Sequence, residues 1–132
     1  ARKDYTTIGP TVPSDRLATR ALEPKVRERI FQRTRGIIAG NYPVLETWLK
    51  GFGRLFTWVP PDAGAICYAR YAHPMGALDL VEKLRADHSV LLEPGEHFEM
   101  ASHIRFGFGG DRPFLEAALA ETGRGFRRIM AD

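Results

Sequence analysis

The chain has 132 residues, of which 44% are hydrophobic and 27% are charged, a balance typical of one globular domain with room for an appendage. No apolar run approaches the roughly 18 residues needed to span a bilayer, so we expect no membrane association. The net charge of +3 is spread along the chain, which argues against a basic tail for nucleic acid. A single cysteine, Cys67, excludes an internal disulfide and fits a reducing compartment such as the cytoplasm.

The first 23 residues are predicted to form a connecting arm and a short helix. Residues 1–13 have no hydrophobic period and contain two prolines, which is typical of a loop. Ser14 has the character of a helix N-cap. The short helix that it would begin carries an apolar stripe of Leu17, Ala18, Ala21 and Leu22.

A long helix is predicted over residues 24–50, the beginning of a domain that we assign to residues 24–132. Pro24 suits the first turn of a helix, and glycines follow the last turn. Pro43 lies inside the pattern, so we expect a kink near residues 39–42. The period of 3.6 residues is carried by Val26, Ile30, Phe31, Thr34, Ile37, Ile38, Tyr42, Leu45, Trp48 and Leu49.

From residue 55 onward the pattern predicts the order strand, strand, helix, strand, strand, helix. The first two strands are joined by the turn sequence PPDAG, and Asp111 with Pro113 begins the last helix. The predicted strands cover residues 55–59, 65–71, 89–95 and 103–109, with helices starting at Pro74 and after Asp111. This order predicts an α+β fold, with a mainly antiparallel sheet over residues 55–130 and helices packed on one of its faces.

The strand HIRFGFG, residues 103–109, alternates strictly. Its apolar residues Ile104, Phe106 and Phe108 fall on one face, and Arg105 falls on the other beside Gly107, which has no side chain. A guanidinium on a rigid strand with open space next to it suits a carboxylate, which it can bind through two parallel hydrogen bonds. From these residues alone, a solvated arginine without a ligand is the alternative.

The sequence gives little support for a metal site, a reactive cysteine or a nucleic-acid-binding surface. His97, Glu99 and His103 could converge on a metal ion, but their spacing is unspecific, and we expect no metal site. Cys67 lies between apolar strand residues and is predicted to be a small core residue. The segment RFGFGG, residues 105–110, is similar to fragments of RNA-binding strand motifs, but its aromatic residues share the apolar face, so we expect no nucleic-acid binding.

Taken together, the order and spacing of five segments resemble the C-terminal (small) domain of class I/II aminotransferases. These are fold-type-I enzymes that use pyridoxal 5′-phosphate, and the resemblance covers nearly the whole chain. The segments are DYTTIGPTVPSDRLA (4–18), RIFQRTRGIIAGNYPVLETWL (29–49), FTWVPPDAGAICYARY (56–71), LVEKLRADHSVLLEPGEHF (80–98), and HIRFGFG (103–109) followed by FLEAAL (114–119).

This resemblance implies a role for Arg105, because the arginine of this strand binds the α-carboxylate of the amino-acid substrate in the family. It also implies that Arg2 lies where the chain approaches the neighbouring subunit's active site in a homodimer. The parent enzyme would then be a cytoplasmic aminotransferase acting on an α-amino acid and a 2-oxo acid. Glu99 stands where the family usually has a glycine after the phenylalanine, which puts a carboxylate near the rim of the site.

The family's cofactor lysine, its pyridinium-binding aspartate and its phosphate cup would all lie upstream of this chain. None of the lysines here, Lys3, Lys25, Lys50 and Lys83, has the serine-rich context of that lysine. The resemblance therefore implies a part that is inactive alone, binds no pyridoxal phosphate alone and needs the upstream large domain. Two alternatives stay open, a lyase or cyclase of the same fold and cofactor, and a non-catalytic α+β binding module.

Overall fold

The computed structural model describes residues 9–131, and within them the chain forms four α helices, four strands and a 3-10 helix. The α helices are α1 (Val12–Leu22), α2 (Pro24–Lys50), α3 (Ala77–His88) and α4 (Arg112–Ile129). The strands are β1 (Phe56–Trp58), β2 (Ile66–Tyr71), β3 (Glu93–Pro94) and β4 (His103–Gly107), and the 3-10 helix is Gly95–Phe98. Two compact units divide inside α2, after Gly36, and each is described by itself.

The strands form one sheet in the order β1-β2-β4-β3, and every neighbouring pair is antiparallel. Side chains that the register places on one face are buried in the core: Phe56, Cys67, Ala69, Tyr71, Ile104 and Phe106. The second half of α2, α3 and α4 bury their apolar residues in the same core. The predicted α+β fold, with helices packed on one face of an antiparallel sheet, is confirmed.

An aromatic cluster joins the helices to the sheet. The ring centroid of Trp48 on α2 lies 5.7 Å from that of Phe106 on β4, and the centroids of Phe126 on α4 and Phe56 on β1 lie 5.2 Å apart. The second pair meets edge to face, a geometry worth about 0.5–1.5 kcal/mol beyond the area that it buries. These contacts hold one face of β4 against α2 and leave the opposite face of β4 open.

The first unit differs from its prediction at the start of α1. The N-cap is Thr11 and not Ser14, because the Thr11 side chain accepts a hydrogen bond from the Ser14 backbone N–H at 3.4 Å. The long helix α2 begins at Pro24 as predicted and includes Pro43. No residue between 9 and 36 is buried.

The helix α3 begins at Ala77, three residues after the predicted Pro74. Its first amide, Ala77 N–H, donates to Oε1 of Glu96 at 2.8 Å, so a side chain from the 3-10 helix satisfies the start of the helix. The sequence pattern places Leu78 on one helical face with Val81 and Leu84. Leu78 is nevertheless 46% exposed, and Leu80 is buried in the core instead.

The strand predicted at residues 89–95 is mostly wrong, since only Glu93 and Pro94 pair with β4. Ser89 adopts a left-handed backbone with φ of 53° and donates its N–H to Leu84 O, which ends α3 and turns the chain away from the sheet. In α4, Asp111 is the N-cap and Pro113 lies in the first turn as predicted. The helical spacing places Phe114 on the same apolar face as Leu115 and Leu119. Those two leucines are buried, but Phe114 is 74% exposed.

Between residues 9 and 131, no helix combines the length and the apolar character needed to cross a membrane.

Candidate carboxylate-binding site

Arg105 lies in the middle of β4, on the face of the sheet that the helices leave open. Its chain neighbours Ile104 and Phe106 are 0% and 2% exposed, so the backbone that carries the arginine is fixed by the core. Tyr68 on β2 and Glu93 on β3 are its direct partners across the sheet. The prediction that Arg105 faces away from the core is confirmed.

The acidic residue beside Arg105 binds another partner. Oε1 of Glu93 lies 2.6 Å from Nδ1 of His97. Among the ion pairs that residues 9–131 form, none includes Arg105. The guanidinium therefore keeps its N–H donors available for a carboxylate from outside the described chain.

Three aromatic side chains, Phe98, Tyr68 and His103, form a row next to Arg105, which we call the aromatic row. The Arg105 guanidinium carbon lies 5.8 Å from the centroid of the Phe98 ring. Phe98 meets Tyr68 edge to face at 6.1 Å, and Tyr68 stacks on His103 at 5.2 Å. The aromatic row therefore adds an apolar, polarisable surface to the open face, next to the positive charge of Arg105.

On its other side Arg105 borders open space. A Cβ placed on Gly107 would have no heavy atom within 4 Å, as expected for a glycine that leaves room for a ligand. A cavity of about 670 Å³ extends from this point along the edge of β4. Its wall includes the apolar side chains of Ile66, Leu91 and Phe114, the guanidinium of Arg105 and two carboxylates, those of Glu93 and Glu121.

The backbone after Arg105 is held by a residue that sequence reasoning missed. The buried side chain of Asn41 on α2 donates from Nδ2 to Phe108 O and to Gly110 O, both at 2.9 Å. The signal in the sequence was a polar residue between the apolar stripe positions 38 and 45. The carbonyl of buried Phe108 thereby finds a donor, and the same amide also binds the carbonyl of the exposed Gly110, just after the strand.

Glu99, close to the aromatic row, adopts a left-handed backbone with φ of 59°. This conformation favours glycine and costs other residues about 1–2 kcal/mol, which explains why a glycine would suit the position. The Glu99 side chain is exposed.

Other predicted or possible site residues are not brought together. Arg2 lies outside the described residues, and its role stays a prediction. His97 contacts Glu93, while Nδ1 of His103 lies 2.9 Å from Ala101 O. Within residues 9–131 no three His, Cys, Asp or Glu side chains are grouped to hold a metal ion.

The thiol of Cys67 is buried as predicted. Burial raises its pKa to about 11, so it is protonated at neutral pH and unsuited to nucleophilic chemistry.

Pyridoxal phosphate does not fit the residues around Arg105. The lysines in the part of the chain that the structure describes, Lys25, Lys50 and Lys83, are all exposed on helices. Lys50 pairs with Glu46 at 3.1 Å. None lies on the open face of the sheet, so no cofactor chemistry follows from these residues.

No protein-family model matches the chain. Among curated proteins it is similar to capreomycidine synthase from Streptomyces vinaceus, with 31% identity over 125 residues. The match covers 89% of this chain and 30% of that enzyme.

Solved structures with the same fold include a PLP-dependent aminotransferase from Streptococcus suis 89-1591, with a TM-score of 0.84 and 29% identity over 96% of this chain. The PLP-dependent cyclase OrfR has a TM-score of 0.82 with 24% identity, and an aspartate aminotransferase mutant from Thermus thermophilus has 0.72 with 20% identity. They match 96% and 92% of this chain, respectively. This chain covers 33%, 35% and 33% of the three structures, so it spans about a third of their length. The resemblance to the C-terminal domain of class I/II aminotransferases, fold-type-I enzymes, is confirmed.

Proposed function

We propose that the chain is the C-terminal part of a pyridoxal-phosphate-dependent aminotransferase that transfers an amino group between an α-amino acid and a 2-oxo acid. In this proposal Arg105 binds the α-carboxylate of the substrate. The observation that carries it is the guanidinium of Arg105 on the open face, with Glu93 paired to His97 and open space at Gly107. Similarity to an aminotransferase at 29% identity supports the choice of reaction.

The geometry suits this task. The planar guanidinium offers paired N–H donors that match the two oxygens of a carboxylate. Because Arg105 is anchored between two core residues, the donors lie on a rigid strand and need little ordering when the ligand arrives. Gly107 adds no side chain that would block the ligand's approach.

The test is made in the full-length enzyme. Arg105→Ala should raise KM for the amino acid strongly, since losing one partner of a buried charge pair costs about 2–5 kcal/mol. Arg70→Ala is the matched control, because Arg70 is an exposed arginine on the neighbouring strand β2 of the same sheet. Equal KM values for wild type and Arg105→Ala would remove Arg105 from the site.

A large domain of the same enzyme is the partner that we infer for the first unit. Five large apolar side chains are 42–71% exposed there: Val12, Leu17, Leu22, Ile30 and Phe31. The similar enzymes are about three times as long as this chain. The rest of such an enzyme would be large enough to cover these five side chains. The parent would be a homodimer in the cytoplasm, a compartment that suits the buried free thiol of Cys67.

This inference separates the proposal from a free-standing, non-catalytic α+β binding module. The isolated chain should bind a hydrophobic dye and self-associate in sedimentation, because its apolar surface lacks a cover. A monomer that binds no dye would favour the binding module.

The cofactor would be held by residues of the large domain, so the isolated chain is expected to be inactive. After incubation with pyridoxal phosphate and reduction with borohydride, mass spectrometry should find no stoichiometric adduct on any of its four lysines. One fully modified lysine would contradict this expectation.

The second candidate is a cyclase or lyase of the same fold and cofactor. The similarity to capreomycidine synthase, whose name denotes a synthesis and not an amino-group transfer, favours it, and the PLP-dependent cyclase OrfR shares the fold. The carboxylate anchor would be the same in both reactions. Incubating the full-length enzyme with a ¹⁵N-labelled amino acid and a 2-oxo acid separates them. Transfer of the label to the oxo acid indicates transamination, whereas label retained in a cyclised product or released as ammonium indicates the alternative.

A further inference from the structure

Phe98 is a large aromatic residue that the fold itself does not use. Its side chain is 49% exposed and lies outside the hydrophobic core. Its ring meets the ring of Tyr68 edge to face and lies against the guanidinium of Arg105. A half-exposed ring with such contacts suggests a task on the open face.

The 3-10 helix that carries Phe98 is fixed in place. A Cβ on Gly95 would lie 2.0 Å from Met100 O and 2.8 Å from the Cβ of His103, so the turn closes against the start of β4. Met100 N–H donates to Gly95 O at 3.0 Å, and the Tyr68 hydroxyl donates to the same oxygen at 3.4 Å. These contacts therefore fix the backbone that carries the Phe98 ring, next to Arg105.

We propose that Phe98 is a positioning residue for Arg105, holding the guanidinium by a cation–π contact so that its N–H donors point to the open side of the sheet. An aromatic face attracts a guanidinium without using its N–H groups, which lie in the guanidinium plane. A carboxylate in the same place would neutralise the charge, and here the neighbouring Glu93 is bound to His97 instead. That Arg105, the residue positioned by Phe98, binds substrate rests on the function proposed above.

The test uses nuclear magnetic resonance on the 132-residue chain and reads the mobility of the Arg105 Nε–Hε group. Phe98→Leu removes the ring and keeps an apolar side chain, while Phe98→Tyr restores a ring. We expect the Arg105 order parameter to fall below about 0.6 in Phe98→Leu and to stay at the wild-type value in Phe98→Tyr. Unchanged backbone shifts at Ile104 and Phe106 will show that both variants keep the strand.

A second exposed pair in the same chain is the matched control. The guanidinium carbon of Arg35 lies 5.8 Å from the Phe31 ring centroid, so Phe31→Leu should loosen Arg35 and leave Arg105 unchanged. An Arg105 order parameter that is the same in wild type and Phe98→Leu overturns the inference. So does one that falls equally in Phe98→Leu and Phe98→Tyr.

Kinetics of the full-length enzyme supply the second readout. Phe98→Leu should raise KM about two- to fivefold, the size of an exposed cation–π contact, with kcat unchanged and with recovery in Phe98→Tyr. If mobility responds as expected but Arg105→Ala leaves KM unchanged, the proposed function fails and the positioning of Arg105 stands. If mobility does not respond, the positioning fails, and the Arg105→Ala result alone decides the function.

Discussion

The two halves of α2 carry one apolar stripe and meet different surroundings. Residues 37–50 bury Leu45 and Leu49 completely, whereas in residues 24–36 the stripe side chains Ile30 and Phe31 are 42% and 45% exposed. Helix propensity does not separate the halves, since both are helical. The difference shows that periodicity identifies the apolar face of a helix but not whether this chain covers that face. Under the proposed function, the large domain would cover the first half.

This contrast predicts opposite sensitivities along one helix, and the largest effect should come from its apolar side chains. Leu49→Ala should lower the free energy of unfolding by about 2–5 kcal/mol, because it leaves a cavity in the core. Ile30→Ala should change it by less than about 0.5 kcal/mol in the isolated chain. Urea unfolding of both variants measures the difference, and similar losses would show that the first half is covered after all.

The polar residues of α2 should follow the same division. Asn41→Ala should lower the free energy of unfolding by about 1–3 kcal/mol, since the buried carbonyl of Phe108 loses its donor. Gln32→Ala is its matched control, because Gln32 makes an exposed hydrogen bond with Glu28 in the same helix. Equal denaturation midpoints for the two variants would contradict the buried role of Asn41.

Glycine-to-alanine substitutions should change the stability of the chain in opposite directions in the two units. A Cβ on Gly125 of α4 would meet Leu84 Cδ2 at 2.4 Å, so Gly125→Ala should destabilise the chain by about 1–3 kcal/mol. Gly36 has nothing within 4 Å, and Gly36→Ala should stabilise the helix by about 0.5–1 kcal/mol. Thermal unfolding of the two variants should give melting temperatures on opposite sides of the wild type.

The smallest expected effect depends on pH and lies between α3 and α4. Arg124 and His88 both bind Glu121, the latter with Nδ1 2.6 Å from Oε1, and they hold the pKa of Glu121 below its usual value of 4.5. A lowered pKa in the folded state stabilises the chain above about pH 4.5, and this contribution is lost as the pH falls through the lowered pKa.

Glu121→Gln should therefore be less stable than wild type at neutral pH, and the gap should close in acid. Unfolding curves from pH 3 to pH 7 would measure this gap. A gap of constant size over that range would rule out the titration of Glu121 as its source.

Local pattern was sufficient for features that depend on near neighbours. The alternation of residues 103–108 predicted both the burial of Phe106 and the open-face position of Arg105, because side chains in a strand change face at every residue. The first turns of helices were harder. Leu78 and Phe114 fit their stripes but stay exposed, since a stripe gives the direction of the core and not how far the core extends.

Features set by distant partners could not be read from pattern. Glu96 binds the start of a helix 19 residues before it, and Asn41 binds carbonyls 67 and 69 residues after it. The turn at Ser89 uses a left-handed conformation that serine seldom adopts, so the sequence pattern did not indicate that residues 89–92 would lie outside the sheet. Such contacts become visible only when the chain is folded.

The two hydrogen bonds of Asn41 have a mechanical consequence. Hydrogen bonds of 2.9 Å weaken when stretched by a few tenths of an ångström, so a shift of α2 at residue 41 is transmitted to residues 108–110, just beyond Arg105. These two hydrogen bonds tether the second half of α2 to the segment that follows β4. A displacement of α2 at residue 41 would therefore strain the backbone just beyond Arg105.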